Sequence, residues 1–518
     1  MTGRALPPGA SIRSLGHAGY EIAHAGVRLL VDPWFHPAFL ASWFPFPDNR
    51  PLLDDVASAA YDVLYVSHTH EDHFDASTLE LLDHDTTTVV VPRFRSKALV
   101  RRFTELGFRE VIALGHRERH EVAEGFALTM LLDTSHKEDS GLLVELDGFR
   151  FLDLNDCNTP LSELPADVDV LSAQYSGAMW YPNCYAYPDE VQRRKTAEVR
   201  GDLFDTLVRK VRLTGASTYL PAAGPPCFLD PELERFNNHA ETIFPLWDDL
   251  ARDFAAACPG VDALCLEPGD ALTADGVTPS DDPDRGRWRD DPDAYLAAYR
   301  ARRADEWAAY HEEPYEPVTA GELHAYFRQL TDWNRRFLAD YERDVRLVAD
   351  GASWGIRLGR VGGVLEADPI DAGYTIQVPP RALRAIVDRR IGWEEALLSL
   401  RLSLHRDPDT FDLTLMSLLR YGNQPVQTTH MLRERAEAAS GATVERDGHT
   451  FQRFCPHAGE DLAHAEIADG VLECPRHHWT WDLRTGACLS GGTVPLRVGP
   501  ATAAPSEWHT AEGNAGLR

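Results

Sequence analysis

After the apolar run Tyr61–Val66 the chain reads Ser67-His68-Thr69-His70-Glu71-Asp72-His73. No other stretch limits the possible folds so strongly. Side chains repeat every 3.6 residues on a helix and every second residue on a strand, so three imidazoles and a carboxylate cannot all face one way on either. A tight loop at the end of a buried strand gathers them. An exposed polar turn that happens to be rich in histidine is the plainer reading, but the buried strand directly before it points to a metal site. Imidazole with carboxylate suits zinc, iron or manganese. His68 and His70 are expected to hold one ion, Asp72 and His73 a second.

This HxHxDH pattern resembles the metallo-β-lactamase superfamily over roughly residues 10–270. The resemblance implies an αββα fold and further ligands in chain order. His136, in Asp133-Thr134-Ser135-His136, precedes a hairpin marked by Asp147-Gly148. Asp156, after the strand Phe149–Leu154, matches the carboxylate that bridges two metals. At the last ligand the chain departs from the pattern. Family members carry a histidine soon after a late strand, whereas here Thr218-Tyr219-Leu220-Pro221 runs into Ala222-Ala223-Gly224-Pro225-Pro226. His239 is the nearest candidate, and the second metal is expected to have an altered or open coordination sphere. An open position is what a metal needs to take water, substrate or O2. Gly16-His17-Ala18-Gly19 and Leu30-Val31-Asp32-Pro33-Trp34 look like the lactonase-like branch, which makes His17 and Asp32 shapers of the site rather than ligands.

Cys455-Pro456-His457 is followed, after 16 residues, by Cys474-Pro475-Arg476-His477. The order offers two thiolates to one iron and two imidazoles to another, the Rieske variation on a 2Fe-2S centre. Tetrahedral zinc also accepts Cys2His2. The context favours the cluster: His478-Trp479-Thr480-Trp481-Asp482, Thr485-Gly486, Gly491-Gly492 and Pro495-Leu496 resemble the layout of Rieske domains in oxygenases. The extra cysteines of respiratory Rieske proteins are missing, with Gly459-Glu460 and Arg476 in their regions, and Cys488 reads as a small apolar residue.

At roughly 150 residues per domain, 518 residues suggest about three domains. The expected class is α/β multidomain: a metallo-β-lactamase-like dinuclear metal domain over 1–270, an exposed polar linker over 271–293, an α+β module over 294–438, a small all-β Rieske domain over 440–500 and a frayed tail over 501–518. The module should open with long helices over Ala294–Glu312 and Thr319–Leu347. A net charge of −30 repels a phosphate backbone and argues against nucleic acid. No stretch approaches the roughly 18 apolar residues of a membrane helix, and the start does not read as a signal peptide. Eight scattered cysteines do not make a disulfide scaffold, so the reducing cytoplasm is the expected compartment.

A Rieske cluster moves single electrons and needs an acceptor. The HxHxDH site is the plausible one, and an electron supply is useless to a zinc hydrolase. The pair of sites resembles the CMP-N-acetylneuraminic acid hydroxylase family, as do Gln174-Tyr175-Ser176-Gly177-Ala178-Met179-Trp180-Tyr181-Pro182, Gly392-Trp393-Glu394-Glu395-Ala396 and Arg406-Asp407-Pro408-Asp409. That resemblance implies a sterol-carrier-like middle module, although the family places its Rieske module first and this chain places it last. It also implies an O2-dependent monooxygenase, a hydroxylase or N-oxygenase, acting on a small polar metabolite such as a nucleotide sugar or an amino-bearing compound. Two irons, with zinc possible, would sit at His68, His70, Asp72, His73, His136 and Asp156, and a ferredoxin or flavin reductase would reduce the cluster at Cys455, His457, Cys474 and His477. The competing readings are a zinc-dependent lactonase or phosphodiesterase with an accessory Rieske domain, and an electron-transfer scaffold.

Overall fold

The odd and even positions of the apolar strands face different cores. Val63 and Tyr65 enter one, Leu64 and Val66 another; Val90 likewise opposes Val89 and Val91. A sheet whose two faces are both apolar must be covered on both, and this fixes a layered architecture. The computed structural model describes residues 4–500 apart from 136, 366–371, 441, 458, 476, 477 and 493. The chain divides into two units, the first running to Thr134 and adding Glu138–Tyr315 and Glu395–Arg401, the second taking the remainder.

In the first unit, β1 (Ser11–Gly16), β2 (Gly19–His24), β3 (Val27–Val31), β4 (Val63–Tyr65), β5 (Thr88–Pro92) and β6 (Glu110–Leu114) form one sheet. The other contains β7 (Arg119–Ala123), β8 (Phe126–Leu132), β9 (Ser140–Leu146), β10 (Phe149–Asp153), β11 (Val170–Gln174), β12 (Thr218–Ala222) and β13 (Asp262–Ala263). Between the sheets lie Ile12, Ile22, Leu29 and Tyr65 from one and Leu128, Met130, Val144 and Phe151 from the other. Leu99 and Phe103 of the helix Ala98–Leu106 cover the outer face of the first sheet. Leu207 and Val211 of Asp189–Thr214, with Phe254 of Trp247–Ala257, cover the second. The layers are αββα. Each fully buried Leu, Val or Phe contributes about 1.5–3 kcal/mol. Strands β3–β6 and β10–β13 run parallel, which brings their carboxyl ends, and the loops that follow, to one edge.

Two expectations fail here. Residues 271–293 are not an exposed linker: Ala271–Thr273 (β14) pairs with β1, and Gly276–Thr278 (β15) extends that sheet. Part of their polar composition serves a buried group: the fully buried Asp270 accepts from Arg285 Nε at 2.7 Å and Ser280 N at 2.8 Å. The helices Pro292–Arg302 and Ala304–Glu312, expected in the next module, belong to the first unit, where Tyr299 donates to Pro45 O at 2.8 Å.

In the second unit the helix that Thr319 and Glu322 cap reciprocally ends at Trp333, not near Leu347. Arg343–Ala349 (β16) alternates instead of repeating helically, burying Val345, Leu347 and Ala349. It joins β17 (Ala352–Leu358), β18 (Gly363–Val364), β19 (Tyr374–Gln377) and β20 (Ser403–Arg406) in a five-stranded sheet. Two three-stranded sheets follow: β21 (Thr443–Arg446), β22 (His449–Gln452) and β26 (Val498–Pro500), and β23 (Glu466–Ala468), β24 (Val471–Glu473) and β25 (Thr480–Asp482). The expected tail 501–518 lies outside the described residues. Among the described residues no helix is long and apolar enough to cross a membrane.

Candidate metal centres

Directly after β4 the chain doubles back, with His73 N and Phe74 N both donating to His70 O, at 3.1 and 2.7 Å. This turn stacks the histidines: the His68 and His73 rings are 4.2 Å apart, and His68 Nε2 lies 2.9 Å from His70 Nδ1. Two groups of ligand-type atoms result, each within 4.8 Å. One is His68, His70 and Asp156; the other is His17, Asp72 and His73. They adjoin, since His73 Nε2 lies 3.6 Å from Asp156 Oδ1 and 3.9 Å from Asp72 Oδ2.

These residues fit metal. Asp72 Oδ1, His73 Nε2 and Asp156 Oδ1 are buried without a hydrogen-bond partner among the described residues. A buried polar atom left so costs about 1–3 kcal/mol, and a cation would satisfy all three. Asp32, wholly buried at the end of β3, accepts from Ser67 N, Ser67 Oγ and His73 Nδ1 at 2.8, 2.6 and 2.8 Å. A carboxylate only accepts, so the His73 proton sits on Nδ1 and Nε2 is left to face an ion. Burial, with His73 beside it, drives His68 down to about 3, which keeps it neutral and ligand-ready. Burial opposes charge on Asp72 and Asp156, but the neighbouring histidines outweigh it and hold both carboxyls below their usual range. Burial also opposes charge on His73, and there Asp156, Asp72 and Asp32 prevail and raise it. The carboxylates thus favour positive charge at His73 Nε2, either a proton or an ion that takes its place.

Of the residues read from sequence, His68, His70, Asp72, His73 and Asp156 come together, while His136 lies outside the described residues. His239 does not join them. Its Nδ1 lies 2.7 Å from Phe244 O and its ring tilts against Phe46, because the turn from Asn237 to Thr242 closes on itself. His17, read as a shaper of the site, instead stands inside the second group with Nε2 3.2 Å from Asp72 Oδ2. A third group, Asp230, Glu232 and His311, had no sequence signal; Arg401 Nη1 sits 2.7 Å from Asp230 and neutralises it.

In the second unit Cys455 and Cys474 are buried among Phe451, Leu462, Leu472, Trp481 and Leu496. Cys455 N donates to Glu460 O and Cys474 N to Trp479 O, both at 2.8 Å. The His457 ring lies flat on Trp479, 4.0 Å between centroids at 3°. His477 lies outside the described residues.

Comparison with known proteins matches residues 11–186 to the beta-lactamase superfamily domain and residues 428–497 to the Rieske [2Fe-2S] domain. A Rieske 2Fe-2S iron-sulfur protein of Mycolicibacterium smegmatis is 30% identical over 531 residues, spanning 94% of this chain and 99% of that one. The chain belongs to this family of Rieske iron-sulfur proteins. A counterpart from Mycobacterium tuberculosis is 29% identical over the same shares. Cytidine monophosphate-N-acetylneuraminic acid hydroxylase of Asterias rubens is 27% identical over 226 residues, 40% of this chain and 33% of that protein. Among solved structures, the diiron beta-hydroxylase CmlA of Streptomyces venezuelae matches 52% of this chain and 54% of its own at 19% identity and a TM-score of 0.36, too loose a superposition to bear on function. A metallo-β-lactamase-type body and a Rieske domain in one chain make an oxidoreductase, because a Rieske centre moves single electrons.

Proposed function

We propose that this Rieske protein is an O2-dependent monooxygenase, a hydroxylase or N-oxygenase, whose cluster feeds electrons to two irons held by His68, His70, Asp72, His73, Asp156 and His136. One observation carries the reading: a one-electron carrier shares the chain with a buried site in which each of two groups offers two imidazoles and one carboxylate. Two imidazoles and a carboxylate with open positions suit non-haem iron and oxygen chemistry, and hydrolytic zinc has no use for electrons.

Iron bound there would supply O2 activation. The rest falls to the chain. Asp32 and Ser67 fix the His73 tautomer from behind, and burial of His68, Asp72 and His73 keeps bulk water from the ligands. The stoichiometry takes one oxygen atom into a C–H or N–H bond of the substrate and releases the other as water, consuming two protons and two electrons; a Rieske cluster delivers those electrons one at a time. Partial similarity to the sialic acid hydroxylase supports a small polar substrate such as a nucleotide sugar or an amine. A ferredoxin or flavin reductase is the electron donor in this scheme.

Metal content of the anaerobically produced, iron-replete chain tests the reading. Four irons per chain, with O2 consumed only when reductant and substrate are both present, are expected. Two irons accompanied by zinc, and product formed without O2, would replace the oxygenase with a hydrolase.

A further inference from the structure

We infer that His17 is the nitrogen ligand that completes the second metal position, in place of a histidine after β12; the inference rests on the two-ion reading above. The loop after β12 cannot supply that ligand. It contains no imidazole, and at Gly224 a Cβ would meet Ser176 Cβ at 2.3 Å, so no side chain fits there. The same loop backs onto the β1–β2 turn, where Ala223 N donates to His17 O at 3.0 Å. The turn therefore occupies the place from which a late ligand would reach.

Its geometry aims the imidazole inward. Gly16 and His17 both hold positive φ, 90° and 52°, in the tight link between Gly16 and its partner Gly19. The left-handed region is costly for a residue with a Cβ, and here it directs the His17 side chain into the site rather than to solvent. That side chain is 4% exposed. Trp34 packs edge-on against it at 4.8 Å and His73 at 5.6 Å, so its plane is held from two sides. Nε2 reaches Asp72 Oδ2 at 3.2 Å, while Asp72 Oδ1 and His73 Nε2 remain without hydrogen-bond partners among the described residues. Two imidazoles and a carboxylate then converge on one point, the set that holds iron while leaving positions open. Without His17 this group keeps only Asp72 and His73, both from one loop. With it, the ion ties β1–β2 to the loop after β4.

The test uses the full chain with its cluster intact, stripped of its other metal by a chelator and titrated anaerobically with Fe(II), the bound metal being counted after dialysis. The wild type is expected to take up two ions. His17→Ala should keep one and weaken the second about 100-fold or more, above the 10–100-fold typical of residues that merely support a ligand. Added imidazole should restore the second ion in that variant, which a packing role would not allow. His239→Ala should bind two ions like the wild type. If His17→Ala fails to fold, His17→Gln fills the same space beside Trp34 without the ring nitrogen and should lose the second ion alike. A second ion bound equally well by wild type and both His17 variants, or lost in His239→Ala instead, would overturn the assignment. A wild type that binds a single ion would overturn the two-ion reading itself, and this inference with it.

Discussion

The two candidate centres stand in opposite relations to the folds that carry them. In the N-terminal sandwich the ligand residues lie on loops at the edge of a body whose three apolar clusters close without them. In the Rieske domain Cys455 and Cys474, 1% and 0% exposed, are themselves core, packed with few other apolar residues. One fold presents a metal site; the other is partly built from it. The difference separates a metal retained for chemistry from a cluster that is also structure, since small domains with little core need a metal or another staple.

The largest effect should therefore come from the smaller domain. Cys474→Ser changes a residue proposed to hold the cluster and puts a hydroxyl into a buried apolar core. Loss of the Rieske EPR signal and loss of protease resistance across 443–500 are expected together, with the sandwich still intact. A variant without cluster but with that region still protected would break the comparison.

The matching change in the sandwich is expected to destroy activity and spare the fold. His70→Ala should abolish product while leaving the Rieske spectrum and the melting of the sandwich almost as they were, because His70 is only half-buried and lies outside the apolar clusters. A collapsed Rieske spectrum in this variant would mean that the sites are not independent.

What could be read from the chain follows the same divide. The run His68–His73 and the two Cys/His pairs are local in sequence, so spacing alone exposes them. The hairpin at Asp147-Gly148 is equally local, and both residues take the positive φ that the turn needs, 46° and 87°. His17 was visible but its role was not, because that role depends on a turn lying over a loop about fifty residues further on. Composition does not reveal the sheet strands within 271–293, because it cannot tell a solvated aspartate from the buried Asp270, whose charge Arg285 meets from the surface. The helix from Ala320 stops at Trp333 because the alternation of Val345, Leu347 and Ala349 fits a sheet that propensity does not reveal.

Asp32→Asn sharpens the contrast at a smaller scale. The amide keeps the shape, but it binds Ser67 and His73 more weakly than a carboxylate does. Since it acts through His73, a 10–100-fold weaker hold on the second ion is expected, with the cluster signal unmoved. A binding isotherm identical to the wild type's would show that the buried carboxylate serves packing alone.

The smallest effect should come from the aromatic stack over the cluster loop. Trp479 lies between His457, stacked at 4.0 Å, and Phe411, edge-on at 5.9 Å, and both contacts stay within the second unit. An aromatic pair contributes about 0.5–1.5 kcal/mol beyond its buried area. Trp479→Phe keeps a ring in place and should lower the stability of the domain by about 1 kcal/mol while retaining the cluster, since no ligand changes. Thermal unfolding followed at the cluster's absorption band measures both quantities at once. If Trp479→Phe lost its iron as Cys474→Ser does, the stack would belong to the structure of the cluster and not to its surroundings. The line between ligand and packing in this domain would then lie one residue further out than the two sulfurs place it.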